Sequence, residues 1–157
     1  MSWLFGRFEH QLDAKGRVIL PSKIRAHFVT PDSAKAYLTP HLEGCLGLWT
    51  PEDFGPEIAK RKQDEDSGPI QRNRLRDWSS QVTETQVDRQ GRLALSGELL
   101  SYAGLPTTPG TIVMIVGAVD HVELWSPERW SQRDSGEGMD GRSSVTPPSS
   151  PSAATSP

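Results

Sequence analysis

Two short stretches of this sequence put a carboxylate, a glycine and an arginine at one spacing: Asp13-Ala14-Lys15-Gly16-Arg17 and Asp88-Arg89-Gln90-Gly91-Arg92. Asp at the first position of a type I turn accepts backbone N–H bonds through its side chain. Gly at the fourth takes the left-handed conformation that forms a bulge and lets the chain run back as a hairpin. Turn geometry accounts for the Asp and the Gly but does not require an arginine just past the bulge. Two readings of Arg17 and Arg92 therefore stand open from residue chemistry. Each can brace its own turn by pairing with Asp13 or Asp88, or project to bind an anion, because a guanidinium fork suits carboxylate and phosphate alike. Lys15 and Arg89 occupy the turn tips, and Arg7, Lys23 and Arg25 lie near the first turn in sequence, which makes that turn the more basic of the two. Asp-x-x-Gly alone is a common turn and weakly specific.

Other residue types that can do chemistry are thinly spread. His41, Glu43 and Cys45 offer a base and a nucleophile, but they fall within five residues with no third group to orient them, so a buried thiol is the expectation. The histidines at 10, 27, 41 and 121 show no metal-ligand spacing, and no metal is expected. Cys45 is the single cysteine, which excludes an internal disulfide and a multi-cysteine zinc site. No coherent set of acid, base and nucleophile is present; an enzyme, a cofactor and a small-molecule substrate are not expected. Trp49, Trp125 and Trp130 have the chemistry to stack on bases, yet the repeated place of Trp49 and Trp125 next to Thr/Ser-Pro-Glu points to packing. Lys60-Arg61-Lys62 and the series Arg72, Arg74, Arg76 are flanked by Asp64, Glu65, Asp66 and Asp77, as on a solvated helical face.

The elements that position the two turns repeat. Residues 12–24 (LDAKGRVILPSKI) align without a gap on 87–99 (VDRQGRLALSGEL) at an offset of 75, and LWTPEDF at 48–54 aligns on LWSPERW at 124–130 at an offset of 76. Two blocks in the same order at nearly the same separation mark an internal duplication. The first copy starts with a strand, FGRFEHQL, in which Phe8, His10 and Leu12 share a face. After each turn come a short strand, VIL or LAL, and a helix. Pro21 suits the first turn of one helix, with Ile24 and Phe28 inward. Ser96 can cap the other, with Leu99 and Tyr102 packing and Gly104 ending it. AYLTP and CLGLW, then TIVMIVGA and HVELW, read as further strands, and Thr50 and Ser126 should start helices with proline at N1. Residues 57–80 split at Ser67-Gly68-Pro69 into two polar helices. From 131 onward the chain is too poor in apolar residues to offset its ordering entropy, and a disordered tail is expected.

The chain of 157 residues thus divides into a first repeat at 1–54, connecting helices at 55–80, a second repeat at 81–130 and a Ser/Pro-rich tail at 131–157. Units of about 60 residues sit near the lower limit for burying their own core, so the copies need each other. A net charge of −3 excludes a generically basic nucleic-acid coat and leaves any such role to local clusters. No apolar stretch has the length of a membrane helix, and the opening MSWLFGRFEH lacks a secretory core; a cytoplasmic protein is the expectation.

At FEHQLDAKGRVILPSKIR, VDRQGRLALSGELLSYAGL and ELWSPERW the sequence resembles the MraZ family, and the similarity runs from about residue 5 to 130. The resemblance implies an α+β, mainly β fold of two tandem AbrB-like swapped-hairpin (double-psi-type) units with short helices. It also implies ring-shaped homo-oligomers, association with the nucleoid, and regulation of the bacterial division and cell-wall gene cluster through short G-rich promoter repeats in double-stranded DNA. Such proteins carry DNA contacts on the Asp-x-x-x-Arg surface. Here that maps to Asp13, Arg17, Asp88 and Arg92, with Arg7, Lys15, Arg25 and Arg89 as neighbouring basic candidates. The second copy departs from the family pattern, with Ser96 and Leu100 where the first keeps Pro21 and Arg25, and it is expected to contribute less.

Overall fold

The computed structural model describes residues 3–65 and 67–133. Most of the expected tail, residues 134–157, lies outside the described residues. In chain order the elements are β1 (Arg7–Gln11), β2 (Arg17–Ile19), α1 (Ser22–Phe28), β3 (Lys35–Pro40), β4 (Leu46–Trp49), α2 (Pro51–Glu65), α3 (Pro69–Ser80), β5 (Thr83–Gln86), β6 (Arg92–Ala94), α4 (Gly97–Tyr102), β7 (Ile112–Gly117), β8 (Val122–Trp125) and α5 (Pro127–Gln132). The fold is α+β: antiparallel strands carry the core and short helices cover it.

Local chemistry explains most boundaries. The Thr50, Ser96 and Ser126 hydroxyls accept the backbone N–H of Asp53, Leu99 and Arg129 at 3.1, 3.2 and 3.1 Å, capping α2, α4 and α5. Pro21 stands one place earlier than expected, as the extended N-cap of α1 rather than its first helical residue. In α4 the inward pair is Leu99 and Leu100, while Tyr102 is 40% exposed and turns its hydroxyl to the His41 carbonyl. Gly104, at φ +71°, supplies the left-handed stop. The boundary drawn after residue 54 falls inside α2, which runs unbroken from Pro51, and α5 extends two residues into the stretch assigned to the tail.

The strands of the two copies are exchanged. The large sheet has the order β1-β7-β8-β4-β3-β5, so the first strand of each copy pairs with the third strand of the other: β1 with β7, from Arg7↔Val116 to Gln11↔Ile112, and β5 with β3. β4 and β8 meet in the middle, Gly47 facing Glu123. A second sheet of two strands joins β2 to β6 in the register Arg17↔Ala94, Val18↔Leu93, Ile19↔Arg92. The turn after β1 is closed as a hairpin turn, but the strands on either side enter different sheets. Strand alternation sends Val18 and Leu93, both fully buried, into one core with Leu12, Leu20, Ile24 and Phe28 of the first copy and Val87, Leu95, Leu99 and Leu100 of the second.

Candidate nucleic-acid interface

The two Asp-x-x-Gly-Arg turns are nearly identical in detail. In the first, the Gly16 N–H donates to the Asp13 carbonyl at 3.1 Å and the Asp13 N–H to the Arg17 carbonyl at 2.8 Å, with Gly16 at φ +75°. Asp13 Oδ1 accepts the backbone N–H of Lys15 at 2.8 Å and of Arg17 at 2.9 Å, while Oδ2 takes the Arg17 Nε–H at 2.9 Å. In the second, Asp88 Oδ1 accepts from Gln90 at 2.9 Å and Arg92 at 2.8 Å, Oδ2 pairs with Arg92 Nε at 2.6 Å, and Gly91 has φ +83°. The Arg17 and Arg92 backbone N–H bonds lead in holding the Asp13 and Asp88 carboxyls below the usual carboxylate range, with further lowering from the arginine side chains. Both arginines therefore do brace their turns, through Nε.

Bracing through Nε leaves the rest of each guanidinium for other work. On a strand, residues two apart share a face. Arg17 and Ile19 on β2 and Arg92 and Ala94 on β6 form the outer face of the ribbon, opposite the buried Val18 and Leu93. The two arginines lie diagonally across that face, on the order of 8 Å apart along and across the strands. Their side chains are 30% and 34% exposed. Each turn is also stitched to the opposite strand: the Gly91 carbonyl accepts from Leu20 N–H at 2.8 Å and the Gly16 carbonyl from Leu95 N–H at 2.9 Å. The ribbon is thus one rigid unit with a turn at either end.

Two of the neighbouring basic candidates are placed differently from their sequence positions. Arg25, assigned to the first turn, packs on the second: its Nη1 donates to the Gln90 carbonyl at 3.0 Å, and a Cβ on Gly91 would lie 2.6 Å from its Cδ. The cause is the strand exchange, which lays α1 of one copy beside the turn of the other. Arg7 sits at the far end of β1, six residues from the turn and about 20 Å away at the rise of an extended strand. Lys23 is exposed on α1. Lys15 and Arg89 are exposed at the two tips as expected. The charge imbalance read from the sequence is therefore redistributed: Asp13, Lys15 and Arg17 form one end, and Asp88, Arg89, Arg92 and Arg25 the other.

Of the other constellations, Cys45 is fully buried with its Sγ 3.6 Å from His41 Nδ1, and burial, reinforced by the Glu123 and Glu43 charges, pushes its thiol up, the reverse of what a nucleophile needs. Trp49 and Trp125 are buried and Trp130 meets Trp125 edge-on at 5.6 Å, so all three pack. On α2, Arg61 pairs with Glu57 at 3.1 Å and lies over Trp78 of α3, and Lys62 pairs with Glu65, as a solvated helical hairpin would have it. One grouping escaped the sequence altogether. His41 and His121 converge on Glu123, with His121 Nε2 3.0 Å and His41 Nδ1 3.6 Å from Glu123 Oε2. Burial opposes ionisation of Glu123, but hydrogen bonds with His121, His41 and Trp125 outweigh it and hold the carboxyl well below its usual range. His121 and Glu123 stand two apart at the start of β8, but His41 comes from the other copy, and only the β4–β8 pairing brings it to them.

The family model described as MraZ protein matches residues 4–77 and 80–136. The transcriptional regulator MraZ of Thermomicrobium roseum is 35% identical over 126 residues, covering 80% of this chain and 83% of that protein. The transcriptional regulators MraZ of Acetivibrio thermocellus and Symbiobacterium thermophilum are 32% and 33% identical, covering 88% and 81% of this chain and 92% and 86% of theirs.

Proposed function

The chain belongs to the MraZ family, and on that premise we propose that it is a transcriptional regulator that binds double-stranded promoter DNA with the outer face of the β2–β6 ribbon. The observation that carries this reading is the pair of diagonal arginines on a two-stranded ribbon. The DNA major groove admits such a ribbon, and an Arg fork suits the O6 and N7 of guanine. Asp13 and Asp88 hold the forks. Lys15, Arg89 and Arg25 supply phosphate contacts at the two ends, whereas Arg7 stands at the end of β1 away from the turn. Because Arg25 serves the second turn, both turns contribute comparably.

A chain of net charge −3 gains DNA affinity through number rather than overall charge. In a homo-oligomeric ring, several ribbons touching successive short promoter repeats add through effective concentration. Regulation of the division and cell-wall cluster from G-rich repeats, and residence in the nucleoid, complete the proposal. Among the described residues no helix is long and apolar enough to cross a membrane.

The test is a gel-shift titration against the chain's own upstream promoter region. Arg17→Ala and Arg92→Ala should each weaken binding by about tenfold or more, within the range for losing a bidentate base contact. Equal binding by wild type and the double variant would overturn the interface and favour an oligomeric protein-interaction module without DNA.

A further inference from the structure

The cluster of His41, His121 and Glu123 is built as a metal centre is built. The three donor atoms lie within 4.8 Å of one another. Two ligands held about 2.1 Å from a tetrahedral ion are ~3.4 Å apart, and the separations of 3.0 and 3.6 Å at Glu123 Oε2 bracket that value. His121 and Glu123 are also fixed from behind, as metal-binding imidazoles and carboxylates are, while His41 Nδ1 stands 3.6 Å from Cys45 Sγ. Asp120 Oδ1 stands 2.7 Å from His121 Nδ1, the Trp125 Nε1–H donates to Glu123 Oε1 at 3.0 Å, and Trp49 stacks on the His121 ring at 4.3 Å and 8°. His41 lies over Gly47, where any Cβ would collide with its Nε2.

A hydrogen-bonded network without metal is the competing account, because His121 has a carboxylate at each ring nitrogen, Asp120 at Nδ1 and Glu123 at Nε2. A metal at Nε2 would leave the Asp120 contact at Nδ1 in place. Side-chain exposures of 15% for His41, 13% for His121 and 21% for Glu123 put the cluster within reach of solvent yet largely shielded. It opens on a cavity of about 940 Å³ that α2 and α3 also line. In the first copy, Cys45 and Gly47 stand where the second has His121 and Glu123, so the duplication produces this grouping once.

We propose that His41, His121 and Glu123 bind one borderline divalent cation of the zinc class, with a fourth position open to the cavity. Two imidazoles and one carboxylate favour such an ion over the oxygen-seeking magnesium and calcium. The bound ion ties the β3–β4 hairpin of the first copy to β8 of the second, and so couples the two halves independently of the DNA-facing ribbon.

The untagged full-length chain, stripped with chelator, would be titrated with zinc chloride by calorimetry and with cobalt chloride by visible absorption. One saturable zinc site per chain, cobalt bands of a four- or five-coordinate ion and an upward shift of Tm with zinc are expected. Glu123→Gln and His121→Ala should lose about tenfold or more in affinity, and His10→Ala should lose none. Absence of saturable binding and of cobalt bands in the wild type would overturn the proposal without any variant having to fold. Unchanged affinity in a His41→Ala/His121→Ala chain would do the same.

Discussion

A guanidinium tied through Nε to the carboxylate of its own turn is a fork already aimed, and this gives Asp13 and Asp88 a role that charge alone would not. Charge alone says that removing two carboxylates from the face proposed to bind DNA tightens binding. Preorganisation says the reverse, because the freed arginines lose side-chain entropy on binding. Asp13→Asn/Asp88→Asn should therefore weaken promoter binding severalfold in a gel shift despite raising the net charge, and tighter binding would refute the aimed-fork account. The same carboxylates set an acid limit. Their folded-state pKa lies below the ordinary value near 3.8, so their contribution to stability is present above that value and lost as pH falls through the lower one. Between pH 4 and pH 2, thermal melts of the Asn double variant should fall less steeply than those of the wild type. Cys45, buried and with its thiol pushed up, should resist a thiol reagent at pH 8 in the native chain and react promptly in denaturant.

At the scale of elements, the turns, caps and strands were legible in the sequence because each is a local contest between neighbouring residues. Asp13 with Gly16, Ser96, Thr50 and Ser126 all adopt the roles their types favour. Partnership was not legible. Nothing near β2 or β4 says that they pair with β6 and β8, and those missing facts misplaced Arg25 and hid the meeting of His41 with His121. Arg129 illustrates the same gap. It occupies the position of Asp53 in the duplicated pattern, yet the two residues do opposite things. Asp53 Oδ2 lies 2.7 Å from His27 Nε2 of α1, whereas Arg129 Nη1 donates to the carbonyls of Tyr102 at 2.7 Å and Gly44 at 2.9 Å. Arg129 thus ties α5 to the end of α4 and to the turn between β3 and β4. Charge-assisted bonds of this kind contribute about 1.5–3 kcal/mol, so Arg129→Ala should lower Tm by several degrees in a calorimetric melt with promoter binding retained.

For the molecule as a whole, exchange of strands means that neither copy owns a complete sheet. Residues 3–80 and 81–133 made as separate peptides should each lack a cooperative melt by circular dichroism, and mixing them should restore one; a stable fold in either alone would contradict the shared core. The exchange also has a consequence in time. During synthesis β1 emerges roughly a hundred residues before β7, which at ~5–20 residues per second is on the order of ten seconds with no strand to pair with. The N-terminal half passes that interval with Leu12, Val18 and Leu20, all buried in the finished fold, still uncovered, and such surface is aggregation-prone until its partner strands emerge.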